Sequence, residues 1–132
     1  AIEQKKETLE HRDYVQEMQV ETAKDGYQFT FVIADIAGYE GENSSNQTRY
    51  HVQADSLAMA ADLYQRENER QRDFGHMKQI GADMRGQEIH PLLLELGHRS
   101  GISKSIPVMM ETDGAKYILR EMIKAAYGRE SL

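Results

Sequence analysis

Tyr14-Val15-Gln16-Glu17-Met18-Gln19-Val20-Glu21-Thr22, then Ala23-Lys24-Asp25-Gly26, then Tyr27-Gln28-Phe29-Thr30-Phe31-Val32-Ile33-Ala34-Asp35-Ile36-Ala37: this stretch decides the fold. Asp25-Gly26 supplies residues that tolerate positive φ, as a tight hairpin turn requires. Period-two alternation flanks the turn on both sides. In the first strand Tyr14, Met18 and Val20 point one way, and Val15, Glu17, Gln19 and Glu21 the other. In the second, Tyr27, Phe29, Phe31 and Ile33 share a face, and the other face turns apolar at Val32, Ala34 and Ile36. A strand apolar on both faces is usually covered on both. The second strand is therefore expected mid-sheet, and the first nearer an edge.

Outward from the hairpin, residues 1–12 are charged helix formers and read as a loose arm or short surface helix. Gly38 to Gln47 is a polar loop, and its Asn43-Ser44-Ser45 and Asn46-Gln47-Thr48 triplets read as products of that composition. Thr48 to Ala54 alternates again, with Thr48, Tyr50, Val52 and Ala54 facing one way and Arg49, His51 and Gln53 the other. This is a third strand, antiparallel to the second. Asp55 or Ser56 then caps a helix whose stripe is Leu57, Ala60, Ala61 and Tyr64.

His76 to Met84 holds a weaker strand pattern. Pro91 before Leu92–Leu96 and Gly97 after it predict a very short buried helix, with a strand as the rival. Ile102 to Met110 predicts one more strand, and Pro107 places it at an edge. The last helix is the strongest: Thr112 or Asp113 caps it, and Ile118, Leu119, Met122, Ile123 and Ala126 form its apolar face.

These elements predict a single α+β domain over residues 1–132. A mostly antiparallel sheet of four or five strands is built on the N-terminal hairpin and packed by two main helices, about 56–68 and 114–127. The order of elements also matches a five-stranded barrel with a helix after its third strand, an architecture that often holds single-stranded nucleic acid. The exposed sheet edges would be protected by a homodimer with twofold symmetry.

Composition narrows function by exclusion. The chain of 132 residues contains no Cys, which removes disulfides, thiol nucleophiles and thiolate metal sites and fits a cytoplasmic location. No apolar run approaches the roughly 20 residues of a membrane span, and Ile2–Glu7 is too charged for a secretory signal. The net charge of −6 is uneven: residues 1–66 carry 6 Lys+Arg against 12 Asp+Glu, and residues 67–132 carry 10 of each. Duplex DNA, whose binding depends on neutralised phosphates, is a poor partner for such a chain.

No pattern names a reaction, a cofactor or a metal. His11, His51, His76, His90 and His98 lack metal-ligand spacing, and no serine sits in a nucleophile elbow. Two groupings carry binding chemistry. Gly97-His98-Arg99-Ser100-Gly101 offers a flexible loop with a planar guanidinium fork and hydrogen-bonding side chains for a phosphate or another small anionic ligand. Arg49 and His51 share the polar face of the third strand, a place where single-stranded nucleic acid can lie.

The function expected is a small, non-enzymatic, intracellular binding or regulatory protein that occupies a protein partner or small ligand, a type common among phage and mobile-element accessory proteins. The alternatives are a single-stranded nucleic-acid binder and an anion pocket, possibly enzymatic, at residues 97–101.

Overall fold

The structure is a computed structural model, and it describes residues 12–34, 47–68, 71–84, 86–99 and 101–128. The arm at 1–11 and most of the loop expected at 38–47 lie outside these residues. The elements run β1 (Arg12–Ala23), β2 (Gly26–Ala34), β3 (Gln47–Ala54), α1 (Leu57–Asn68), β4 (Gln71–Asp73) and β5 (Gln79–Asp83). A 3-10 turn at Gly86–Ile89 leads into α2 (His90–His98), β6 (Pro107–Met110), β7 (Lys116–Ile118) and α3 (Leu119–Tyr127).

The hairpin forms one residue earlier than expected: Lys24-Asp25 is the loop, and Gly26 already pairs with Ala23. Gly26 has φ +102°, and a Cβ there would stand 2.7 Å from the Ala54 carbonyl oxygen. The sheet built on it is mixed, not mostly antiparallel: the strand order is β3-β2-β1-β5-β6-β7, with β4 paired separately to β1. β1–β2, β2–β3 and β6–β7 are antiparallel, whereas β1–β4, β1–β5 and β5–β6 are parallel. This open order, with edges at β3 and β7, is not the closed barrel that the element sequence also allowed.

Two strand placements are corrected. β1 is central, between β2 and β5, because its outer side takes parallel partners from more than 50 residues away in sequence. β6 lies between β5 and β7. Pro107 is tolerated because it is the first residue of its strand, a position where a missing N–H costs least. The face assignment of β1 also changes. The register slips between Val15 and Glu17, so Val15 joins Met18 and Val20 in the core. Strict alternation had placed Val15 on the opposite face, and one extra residue reverses that parity.

The helices share one core with one face of the sheet. Leu57, Ala60, Ala61 and Tyr64 of α1, Leu92, Leu93 and Leu96 of α2, and Leu119 and Ile123 of α3 join Phe29, Phe31, Ile33, Ile80 and Val108 in a single buried cluster. On the other face Thr30 and Val32 are buried as well, but Val32 lies outside that cluster. The short segment at Leu92–Leu96 is thus a full helix with Pro91 in its first turn, a third layer member beside the two expected. The segment expected to begin the last helix instead forms β7, and the helix starts at Leu119.

A carboxylate from α2 fixes the start of α1. Glu95 Oε1 accepts the Leu57 N–H and Oε2 the Ala58 N–H, both at 2.8 Å, and Ser56 Oγ accepts the Met59 N–H at 3.1 Å. Three of the donors that a helix N-terminus leaves unpaired are satisfied in this way.

Two substitutions test these constraints. Gly26→Ala should lower stability by about 2 kcal/mol or more, because positive φ alone costs an L-residue roughly 1–2 kcal/mol and the new Cβ meets backbone. Glu95→Gln leaves one acceptor for two N–H groups and should cost about 1–2 kcal/mol. Denaturant unfolding of both variants reads these values directly.

Candidate functional site

Among the described residues, α2 and α3 wall an apolar groove of about 300 Å³. Its walls are Ile89, His90 and Leu93 on one side and Met122, Ala125 and Ala126 on the other, with Tyr117 and Glu121 at its mouth. The sequence makes this shape locally. Gly97 lets α2 approach α3 closely, since a Cβ there would lie 3.2 Å from Ile123 Cδ1. Nearer the start of α2 the facing residues of α3 are two alanines, so the same pair of helices leaves space there. Tyr127 bridges that end: its hydroxyl donates to the His90 carbonyl oxygen at 2.7 Å, and its ring stands 5.8 Å from the His90 ring.

The groove is mostly apolar with little formal charge, as ligand sites usually are. Tyr117 is 46 % exposed although it projects from the core-facing side of β7, opposite Val108. Glu121 keeps two thirds of its side chain in solvent, and Lys124 Nζ stands 3.9 Å from its carboxylate. Carboxylates also surround the neighbouring end of the sheet. Tyr27 donates to the Glu88 carbonyl oxygen at 3.2 Å. Burial raises its phenol pKa above the ordinary value, and the charges of Glu95, Tyr127 and Glu88 raise it further.

The residues singled out in the sequence fall in two separate places. His98 ends α2, with Nδ1 3.1 Å from the Leu94 carbonyl oxygen. Arg99 lays its guanidinium over the Phe74 ring, 5.3 Å from the centroid, and Lys104 Nζ donates to the carbonyl oxygens of Arg99 and Ile102 at 3.1 Å each. Ser100 lies outside the described residues. Arg49 and His51 sit on β3, cross-strand from Val32 and Thr30, on the sheet face opposite the described helices. There His51 Nδ1 is 2.9 Å from Thr30 Oγ1. The structure therefore brings His98 and Arg99 together and keeps Arg49 and His51 on the opposite side of the sheet.

The groove residues were visible only as the apolar faces of α2 and α3. Tyr117 carried no signal of its own because its segment read as helix. The sheet face opposite the described helices has a second concavity, lined by Gln19, Glu21, Gln28, Thr30 and Glu111, of only about 90 Å³. Among the described residues no group of three or more His, Asp or Glu is placed to hold a metal ion, and no helix is long and apolar enough to cross a membrane.

Comparison with known proteins adds a family. The sequence model of the spore germination protein N-terminal domain matches residues 5–125. The chain belongs to that family. No curated protein and no solved structure matches it. Membership is a coarse indication of a non-enzymatic, receptor-like binding domain.

One tyrosine of this domain sets an alkaline limit on stability. Tyr50 stacks in an aromatic group with Phe31 and Tyr64 and donates its hydroxyl to Glu67. Burial first, and then the hydrogen bond and charge of Glu67, push its pKa up to about 12. A folded-state pKa above the unfolded value near 10 means the neutral phenol favours folding. That contribution is complete below pH 10 and is lost as pH rises towards 12. Thermal melts should show a fall in stability across this window that is smaller in Tyr50→Phe.

Proposed function

We propose that this chain is a non-enzymatic binding domain of a spore germination protein and that it acts by taking a small, largely apolar ligand into the groove between α2 and α3. The observation that carries this is the groove itself: about 300 Å³ walled by Ile89, Leu93, Met122, Ala125 and Ala126, with polar groups confined to its mouth and one end. That size is at the lower end of the range for small-molecule sites. It suits a single ring or a short branched chain.

Two features support binding here in preference to simple core packing. Tyr117, which lines the groove, is among the most exposed large apolar side chains of the described residues. The helices that wall the groove are also fixed relative to each other, by the close approach that Gly97 allows to Ile123 and by the Tyr127–His90 hydrogen bond, which supports a preformed space. A preformed site loses less affinity to ordering than one assembled by the ligand.

Ala125 is exposed on α3 and lines the groove. Ala125→Phe should fill the space while leaving the core intact. Saturation-transfer NMR should detect cyclohexanol and benzyl alcohol on the wild-type domain, and at least a tenfold loss of affinity, about 1.4 kcal/mol, in the variant at unchanged melting temperature. Equal binding to both proteins would place the ligand elsewhere.

A further inference from the structure

We infer that the groove between α2 and α3 selects small monoamines: a cationic head group on an aliphatic or aromatic ring. This rests on the groove being the binding site and adds the chemical class of what it takes.

The lining residues have one formal charge of fixed sign, the Glu121 carboxylate, set at the mouth beside an otherwise apolar wall. Two rings line the same groove. Tyr117 presents an exposed ring at the same mouth, and the His90 ring lines the opposite wall. A carboxylate beside an exposed aromatic face favours a cation twice, by direct attraction and by the negative face of the ring. An anion meets the reverse on both counts. A neutral ligand keeps only the apolar contact.

The existing partner of Glu121 does not cancel this preference. Lys124 Nζ is 3.9 Å away, at the outer limit for an ion pair, on a helix position where both side chains remain substantially in solvent. Exposed pairs of this kind contribute little and are held loosely. A ligand ammonium seated at the mouth competes with Lys124 for the carboxylate and gains the apolar wall, which Lys124 does not need. Glu88 directly precedes the groove residues Ile89 and His90, and its charge is one of those that raise the Tyr27 pKa.

Three isosteric probes separate the head group from the ring: cyclohexylammonium, cyclohexanol and cyclohexanecarboxylate. Their affinities are measured by NMR titration against the wild-type domain, Glu121→Gln, Lys124→Gln and Ala125→Phe. Wild type should bind the ammonium roughly threefold more tightly than the alcohol, and the carboxylate most weakly, a margin set by the solvent exposure of Glu121. Glu121→Gln should erase the ammonium advantage, Lys124→Gln should widen it, and added salt should narrow it. The amine assignment is overturned if the ammonium binds no better than the alcohol, or if its advantage survives Glu121→Gln. When that happens while cyclohexanol still binds and Ala125→Phe still removes it, the groove stands and only the ligand class is wrong. Failure of all three probes, or equal binding of all three to Ala125→Phe, removes the groove and the amine assignment together.

Discussion

The fold turns on one extra residue in β1. Val15 pairs with Ile33 and Glu17 with Val32, so Gln16 has no partner of its own across the hairpin. Its carbonyl oxygen instead accepts the N–H of Lys78 at 2.8 Å, from the segment that joins β4 to β5. The irregularity thus does two things. It turns the chain so that Val15 enters the same core as Met18 and Val20. It also divides the outer side of β1 between two parallel partners, β4 against Arg12–Tyr14 and β5 against Glu17–Glu21. A bulge usually bends one strand. Here it lets one long strand serve as the axis of a mixed sheet.

The described helices all pack on one side of the sheet that β1 centres. α1 follows β3, α2 follows β5 and α3 follows β7, and the buried residues of all three meet the same face. Contact between helices then decides their spacing. Glu95 binds α2 to the first turn of α1 through two backbone N–H groups. Gly97, two residues on, brings α2 against Ile123 of α3. α2 is therefore held from both sides within three residues, and its N-terminal half, Ile89 to Leu93, faces the small side chains of α3. The groove follows from this: the helices close up at Gly97 and are bridged at the far end by Tyr127 and His90, with alanines between.

Much of the local structure was legible in the sequence because it follows from short-range periodicity. The hairpin at Asp25-Gly26, the shared face of Phe29, Phe31 and Ile33, the Leu57–Tyr64 stripe and the Leu119, Met122, Ile123 and Ala126 part of the last helix's face formed. The turn itself is Lys24-Asp25, however, and Ile118, expected on that helix face, lies exposed in β7. What was not legible depends on partners distant in the chain. Nothing in Glu17–Glu21 indicates that it pairs in parallel with Gln79–Asp83. The slip at Gln16 is invisible to any argument from alternation, because that argument assumes an unbroken period. β4 and β7 are three residues each, too short to show a period at all. Of the candidate site, the sequence yielded residues with binding chemistry, and the structure distributes them on two sides of the sheet. The groove depends on what α2 and α3 lack where they face one another, and absence of bulk at Gly97, Ala125 and Ala126 reads in sequence as ordinary helix composition.

The two sides of the sheet consequently differ in what they can do. The helical side has depth: aromatic and aliphatic walls, a preformed space and a single carboxylate at its mouth. On the opposite side Thr30 and His51 hydrogen-bond to each other, and its concavity is about 90 Å³. Charge on a flat, wet surface is screened within about 8–10 Å at ordinary salt. The same charge beside an apolar wall works against fewer competing waters. Selectivity at a small-molecule site comes from shape combined with a few polar groups, and among the described residues the face built by α2 and α3 has both.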